Sequence, residues 1–199
     1  MSLLRNRIAD DETSLIRRAL KGDGKAKYEI YQKYVRYLSA ICSRYISDDE
    51  DVRDILQDAF LKIFSSLQDF RYQGQGSLKA WMGKIVLNES LKFLRKNSKM
   101  TLVGLSDKED ILPDEDSLSG NPAADDIRTD DIPSSEIHRM IRELPDGYRA
   151  VFNLYVIEGL SHREIASRLG IREASSASQL HRAKALLATK IREWHKNQG

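Results

Sequence analysis

"GLSHREIASRLGI", residues 159–171, holds a short amphipathic segment between two glycines. Ser161 stands before the apolar period Ile165, Ala166 and Leu169, and Glu164 follows Ser161 at the third position. That spacing predicts a capping box, in which each side chain satisfies the other residue's free backbone N–H. Gly170 predicts the left-handed residue that stops the helix. A second helix is expected to begin near 173 and run to about 194. Two short helices joined by so tight a turn are a common packing device. They are also the smallest device that presents one helix to a DNA groove.

The outward face of the second helix bears on that choice. With Leu180 at the centre of the inward face and about 100° per residue, Leu187, Ile191 and Trp194 fall near it and Ser176 lies within reach. Ser175, Ser178, Gln179 and Arg182 are expected on the far side, with Arg172 just ahead of the helix. Hydroxyls, an amide and guanidinium groups are what reach base edges and phosphates in a major groove. A helix that only packs would show mixed charge outward, yet Glu173 is the only acid between 165 and 192. The pattern favours duplex readout over a solvated packing helix.

Two further helices precede this pair. Ile137, Met140, Ile141 and Leu144 line one, and Val151, Leu154 and Tyr155 mark the next, which ends by Gly159. Upstream, residues 106–135 contain three of the four prolines, many acids and no sustained helical period. Such composition predicts an extended, self-repelling linker. Its bounds are set at 101–135, between modules at 1–100 and 136–199.

The first module reads as helical throughout. A short helix near 13–21 stops at Gly22, and the next spans about 24–46 with Ile30, Tyr34, Leu38, Ile41 and Tyr45 on one face. In the third, near 51–67, Val52, Ile55, Leu56, Ala59, Phe60, Ile63, Phe64 and Leu67 hold a stripe for four turns. Asp48 to Asp51 lie at its start, where the helix dipole favours acids. After "RYQGQGS" a fourth helix is expected over 77–96. The fold class is therefore all-α: a four-helix bundle and a helix-turn-helix domain, joined by a flexible acidic linker.

Charge follows the same division. The net charge of +2 resolves into +6 over 1–100 (19 basic, 13 acidic), −8 over 101–135 (2 and 10) and +4 over 136–199 (11 and 7). Basic blocks attract polyanions. Around the fourth helix, Arg71, Tyr72, Lys79, Lys84, Asn88, Lys92 and Arg95 combine cations, a ring and an amide. Single-stranded nucleic acid is bound by such a set, with charges for phosphates and rings for stacking. Trp81 falls on the apolar stripe and is expected in the core.

Other classes find little support. The 199 residues contain no apolar run of membrane-spanning length and no signal-peptide stretch, and the single cysteine, Cys42, allows no internal disulfide, so the cytoplasm is the expected setting. His138, His162, His181 and His195 show no metal-ligand spacing, and no phosphate loop or nucleophile elbow occurs. No catalytic residue, metal, cofactor or small-molecule substrate is expected.

Taken together, "DVRDILQDAFLKIFSSL" (51–67) and "GSLKAWMGKIVLNESLKFLRK" (76–96) resemble region two of bacterial RNA polymerase sigma factors. "LPDGYRAVFNLYVIEGLSHREIASRLGI" (144–171) with "SQLHRAKALL" (178–187) resembles region four. Two modules with only a linker between them are similar to the compact extracytoplasmic-function (ECF) group. The resemblance implies that helix 51–67 docks on a coiled coil of the polymerase β′ subunit, with Asp54, Gln57, Asp58 and Lys62 on its polar face. It implies that the loop 71–77 and the next helix melt the minus-ten element, with Asn88 beside a flipped base. Region four would read the minus-thirty-five element through Arg172, Ser175, Ser178, Gln179 and Arg182. Three positions depart from the family pattern: Arg172 replaces a usual N-cap residue, Ala174 a frequent glycine and Ala177 a frequent basic residue. The implied partners are core RNA polymerase, promoter DNA and an anti-sigma factor. The alternative is a stand-alone helix-turn-helix regulator, which would bind duplex without polymerase.

Overall fold

The computed structural model describes residues 12–97 and 131–198. The linker expected at 101–135 thus lies outside the described residues as far as 130. The chain divides into two compact units at Phe93 and Leu94, in the last turn of the fourth helix. Among the described residues every regular element is helical.

In the first unit, residues 12–20 form α1. Then come α2 (Gly24–Cys42), α3 (Asp49–Ser65), a 3₁₀ turn (Leu67–Asp69) and α4 (Ser77–Lys96). Aspartates start two of them. The Asp23 carboxylate accepts from the N–H groups of Lys25 (2.9 Å) and Ala26 (3.2 Å). Asp48 does the same for Glu50 (2.8 Å) and Asp51 (3.1 Å). Each cap removes orphan donors that a helix start otherwise leaves unsatisfied. One stripe of each helix then goes inward: Leu15, Ile16 and Ala19 from α1, Ile30 and Leu38 from α2, Ile55, Ala59 and Ile63 from α3, Leu78, Met82 and Val86 from α4. The Tyr34 hydroxyl donates to the buried Glu12 carboxylate and ties α1 to α2. At Gly83 a Cβ would stand 3.0 Å from Ile41 Cδ1, so the glycine lets α4 lie close against α2.

Helix α2 ends four residues before the expected 46. The N–H groups of Tyr45 and Ile46 both reach the Cys42 carbonyl, at 2.9 and 3.0 Å, which tightens the chain into a turn. Tyr45 and Ile46 are buried there all the same, so their apolar spacing reflected burial and not a continuing helix.

The second unit comprises α5 (Ser134–Arg142), α6 (Asp146–Val156), α7 (His162–Leu169) and α8 (Glu173–Gln198). The last five residues of the expected linker belong to it, with Ile132 buried and α5 starting at Ser134. Met140, Leu144, Tyr148, Ala183 and Leu187 form a core against which Phe152, Ile191 and Trp194 pack. The capping box of α7 is present: the Ser161 N–H donates to Glu164 Oε2 at 2.9 Å, and the Glu164 N–H to Ser161 Oγ at 3.3 Å. Gly170 closes α7 at φ 70°.

Arg149 is the largest buried polar side chain, 1% exposed. Its Nη1 donates to the carbonyls of Arg142 and Leu144, both at 2.9 Å, and its Nη2 to Asp146 Oδ1 at 2.7 Å. The guanidinium thus satisfies carbonyls at the end of α5, which the helix leaves unpaired. Arg149→Met should destabilise this unit by about 3 kcal/mol, because those carbonyls and the Asp146 charge lose their donor. Urea unfolding of a Trp81→Phe chain, followed by the fluorescence of Trp194, checks this.

Candidate nucleic-acid interface

On α4, Trp81, Lys84, Asn88, Lys92 and Arg95 fall within an arc of about 80° at 100° per residue. Lys84, Asn88, Lys92 and Arg95 are exposed. They form a stripe about 17 Å long at the usual helical rise. Trp81 stands at its head, half-buried, with its ring 5.2 Å from that of Phe70. The core position expected for Trp81 is thus only partly realised, because Phe70 in the preceding loop provides an edge for it to lean on. Phe70 was missed; an aromatic one residue before "RYQGQGS" was the available signal.

The loop brings Arg71 and Tyr72 to the surface ahead of this stripe. Gly74 and Gly76 take φ of 105° and 86°, which side-chain-bearing residues rarely adopt. The Ser77 hydroxyl donates to the Gly74 carbonyl at 2.7 Å and accepts from the Gln73 N–H at 3.2 Å, fixing the loop on the start of α4. Lys79 does not join the set. It lies roughly 160° round the helix from Trp81, and its ammonium sits 4.1 Å from the Tyr37 ring centroid. Chain proximity placed it with the others; the helical turn separates it.

Asp54, Gln57, Asp58 and Lys62 are all exposed on α3, opposite the buried Ile55, Ala59 and Ile63. Lys62 is not a free cation. Its Nζ is 2.7 Å from Glu89 Oε1 on α4, and Lys92 Nζ is 3.6 Å from Glu89 Oε2. The hydrogen bond from Lys62 holds the Glu89 carboxyl below its ordinary range, against the opposing effect of burial. One carboxylate therefore joins the outer face of α3 to the cationic stripe of α4. Beside Gln57 a groove of about 760 Å³ is lined by Val35, Leu56, Phe60, Leu61 and Phe64, and by Arg36 and Arg53. Leu61 is 65% exposed. It stands four residues after Gln57 and three after Asp58, an apolar side chain on a polar face, and that was the overlooked signal.

In the second unit the carbonyl of Arg172 accepts the first α8 bond from the Ser176 N–H at 3.1 Å. Arg172 thus occupies the N-cap position, and its donor-only side chain cannot accept from the helix start. Arg172 and Ser178 are exposed, Ser175 and Arg182 half-buried. Gln179 corrects the expectation: it is 2% exposed and does not face outward. It lies about 100° from Leu180, on the flank of the inward face. The buried arc of α8 runs from Gln179 round to Ala188, wider than a single packing stripe, because α8 packs against α6, α7 and α5 together. Ser176, fully buried, meets His162 Nδ1 at 3.0 Å. Sequence periodicity carries no signal for a contact between a helix start and a buried serine fourteen residues later.

Among the described residues no group of His, Cys, Asp and Glu gathers to hold a metal ion, and no helix is long and apolar enough to cross a membrane. Residues 30–100 match the family model "Sigma-70 region 2", and residues 134–187 match "Sigma-70, region 4". The chain belongs to the sigma-70 family of RNA polymerase sigma factors. Its relatives place it in the ECF group. It is 26% identical over 189 residues to the ECF RNA polymerase sigma-E factor of Haemophilus influenzae, covering 90% of this chain and 95% of that one. It is 27% identical over 182 residues to the ECF RNA polymerase sigma-E factor of Escherichia coli K12, covering 89% and 92%. Among solved structures, the sigma factor RpoE in complex with the anti-sigma factor NepR from Bartonella quintana matches at 18% identity and a TM-score of 0.43, covering 83% of this chain and 96% of that one. Sigma factors serve transcription initiation, with core RNA polymerase and promoter DNA as partners.

In this sigma factor the region-four helix pair depends on the α7 cap. Hydrogen bonds from the Ser161 hydroxyl and then its backbone N–H hold the Glu164 carboxyl below the ordinary glutamate value. A depressed folded-state value stabilises the fold above the unfolded value of about 4.3, and the contribution is lost as pH falls through the folded value. The thermal midpoint of the second unit should therefore drop on acidification below about pH 4. Glu164→Gln should flatten that slope in thermal unfolding of the Trp81→Phe chain followed by Trp194 fluorescence.

Proposed function

We propose that this sigma factor directs promoter-specific initiation through three surfaces, one for polymerase and two for DNA. The exposed face of α3 (Asp54, Gln57, Asp58 and Lys62) together with the α2–α3 groove docks on the β′ coiled coil of core polymerase. The observation that carries this is Leu61, a large apolar side chain left in water beside an apolar groove with arginines along it. A helix that fits this groove would bring an apolar ridge to it and acids to Arg36 and Arg53. The stripe Lys84, Asn88, Lys92 and Arg95, with Arg71 and Tyr72 ahead of it, takes the minus-ten element as single strand. Flipping a base costs a few kcal/mol, which stacking on an aromatic at about 1–3 kcal/mol per base offsets. Lys79 supports this surface through Tyr37 and not by contact with the strand. The first turns of α8 read the minus-thirty-five duplex with Arg172, Ser175, Ser178 and Arg182, without Gln179. The two modules, the second of which begins by Ile132, are tethered to each other and so raise each other's local concentration on the promoter. An anti-sigma factor is a further partner in this reading.

Run-off transcription with purified core polymerase on genomic fragments tests the whole assignment. Discrete transcripts that require the chain are expected. Tight, specific duplex binding by the free chain with no polymerase-dependent transcripts would instead make it a stand-alone regulator. Leu61→Asp should weaken association with core polymerase more than about tenfold while changing stability by less than about 0.5 kcal/mol, as read by pull-down titration and urea unfolding. Arg182→Ala should reduce the salt slope of promoter binding by about one.

A further inference from the structure

Ser176 is a hydroxyl buried completely in the first turn of α8. A buried hydroxyl needs a partner, and its side chain meets the imidazole Nδ1 of His162 at 3.0 Å. His162 is the first residue of α7, directly after the N-cap Ser161. Its ring stacks on Tyr155 of α6, with centroids 4.9 Å apart and planes inclined by 23°. Lys184 of α8 places its ammonium 5.9 Å from the Tyr155 ring. These contacts link α6, α7 and α8 in a closed circuit outside the apolar core of Met140, Leu144, Tyr148, Ala183 and Leu187. That core grips α8 at Ala183 and beyond, whereas most of the residues offered to the duplex, Arg172, Ser175, Ser178 and Arg182, come earlier in the chain. Leu180 is buried there as well, but apolar burial is non-directional, so the hydrogen bond at Ser176 is the contact that fixes the orientation of the start of α8.

We propose that His162 is a positioning residue for duplex reading: its hydrogen bond to Ser176 sets the pose in which the first turns of α8 meet the base edges. The inference rests on the function proposed above. Base-edge hydrogen bonds are short and directional, whereas phosphate contacts tolerate small displacements and carry no sequence information. Loss of the latch lowers discrimination between sequences and leaves non-specific affinity in place. A residue that merely supported the fold would lower both.

The test uses the full chain assembled with core polymerase. The probe is a duplex whose upstream element was selected by the wild-type complex from a randomised library, compared with the same duplex carrying that element scrambled. His162→Ala and Ser176→Ala should each reduce the affinity ratio about five- to tenfold, and the double variant should lose no more than either alone. His162→Asn places an amide where Nδ1 stood and should restore the ratio. His162→Gln, whose amide falls near Nε2, and His162→Phe, which keeps only the stack, should not. An unchanged ratio in Ser176→Ala, which removes one oxygen and keeps the fold, overturns the proposal even if His162→Ala unfolds. Equal rescue by Gln and Asn overturns it too. A wild-type complex with no preference between the duplexes overturns the proposed function along with it.

Discussion

An α-helix of eight to eleven residues does not hold together in water, since isolated helices below about 12–15 residues are marginal. Three helices of the second unit are that short: α5 with 9 residues, α6 with 11 and α7 with 8. They persist because each sinks an apolar stripe into a shared core and has its ends satisfied. Ser161 and Glu164 close the start of α7, Gly170 its end, and Arg149 takes up carbonyls at the end of α5. Burial of apolar faces, with the ends tied off, is what makes a unit with only one long helix, α8, adopt one structure.

The same constraint frees the opposite faces. Once Leu78, Met82 and Val86 are inside, the other side of α4 is available to Lys84, Asn88, Lys92 and Arg95. Once Ile55, Ala59 and Ile63 are inside, α3 shows its acids, Gln57 and Leu61. Those are the faces proposed above to meet polymerase and promoter. Glu89 stands where the two surfaces adjoin, compensating Lys62 from one and Lys92 from the other. Like charges drawn toward one site by two different tasks are tolerated because a part-buried carboxylate lies between them.

The second unit manages its polar groups differently. Ser176 and Gln179 occupy positions on α8 where an apolar residue would pack without further demands. Ser176 has His162 as its partner, while neither amide atom of Gln179 meets a partner among the described residues. A buried polar residue costs free energy unless paired, so this flank of α8 gives up some stability, and with Ser176 it gains a directional tie between helices.

Much of this was legible from local patterns. The bounds of α4, the acids at the start of α3, the capping box at Ser161 and the stop at Gly170 all follow from the residue types and their spacing, because helix-end signals and glycine turns involve residues within one turn of each other. The stripes that went inward were visible as periods of three and four. Helix packing alone decided the flanks. Gln179 is buried because three helices enclose more than one face of α8, Lys79 leaves the cationic set because the helix turns it toward Tyr37, and Leu61 becomes meaningful only beside α2. The bond between His162 and Ser176 joins two helices across a turn. No periodicity within either helix encodes such a contact, since its geometry exists only after the apolar core has brought the two together.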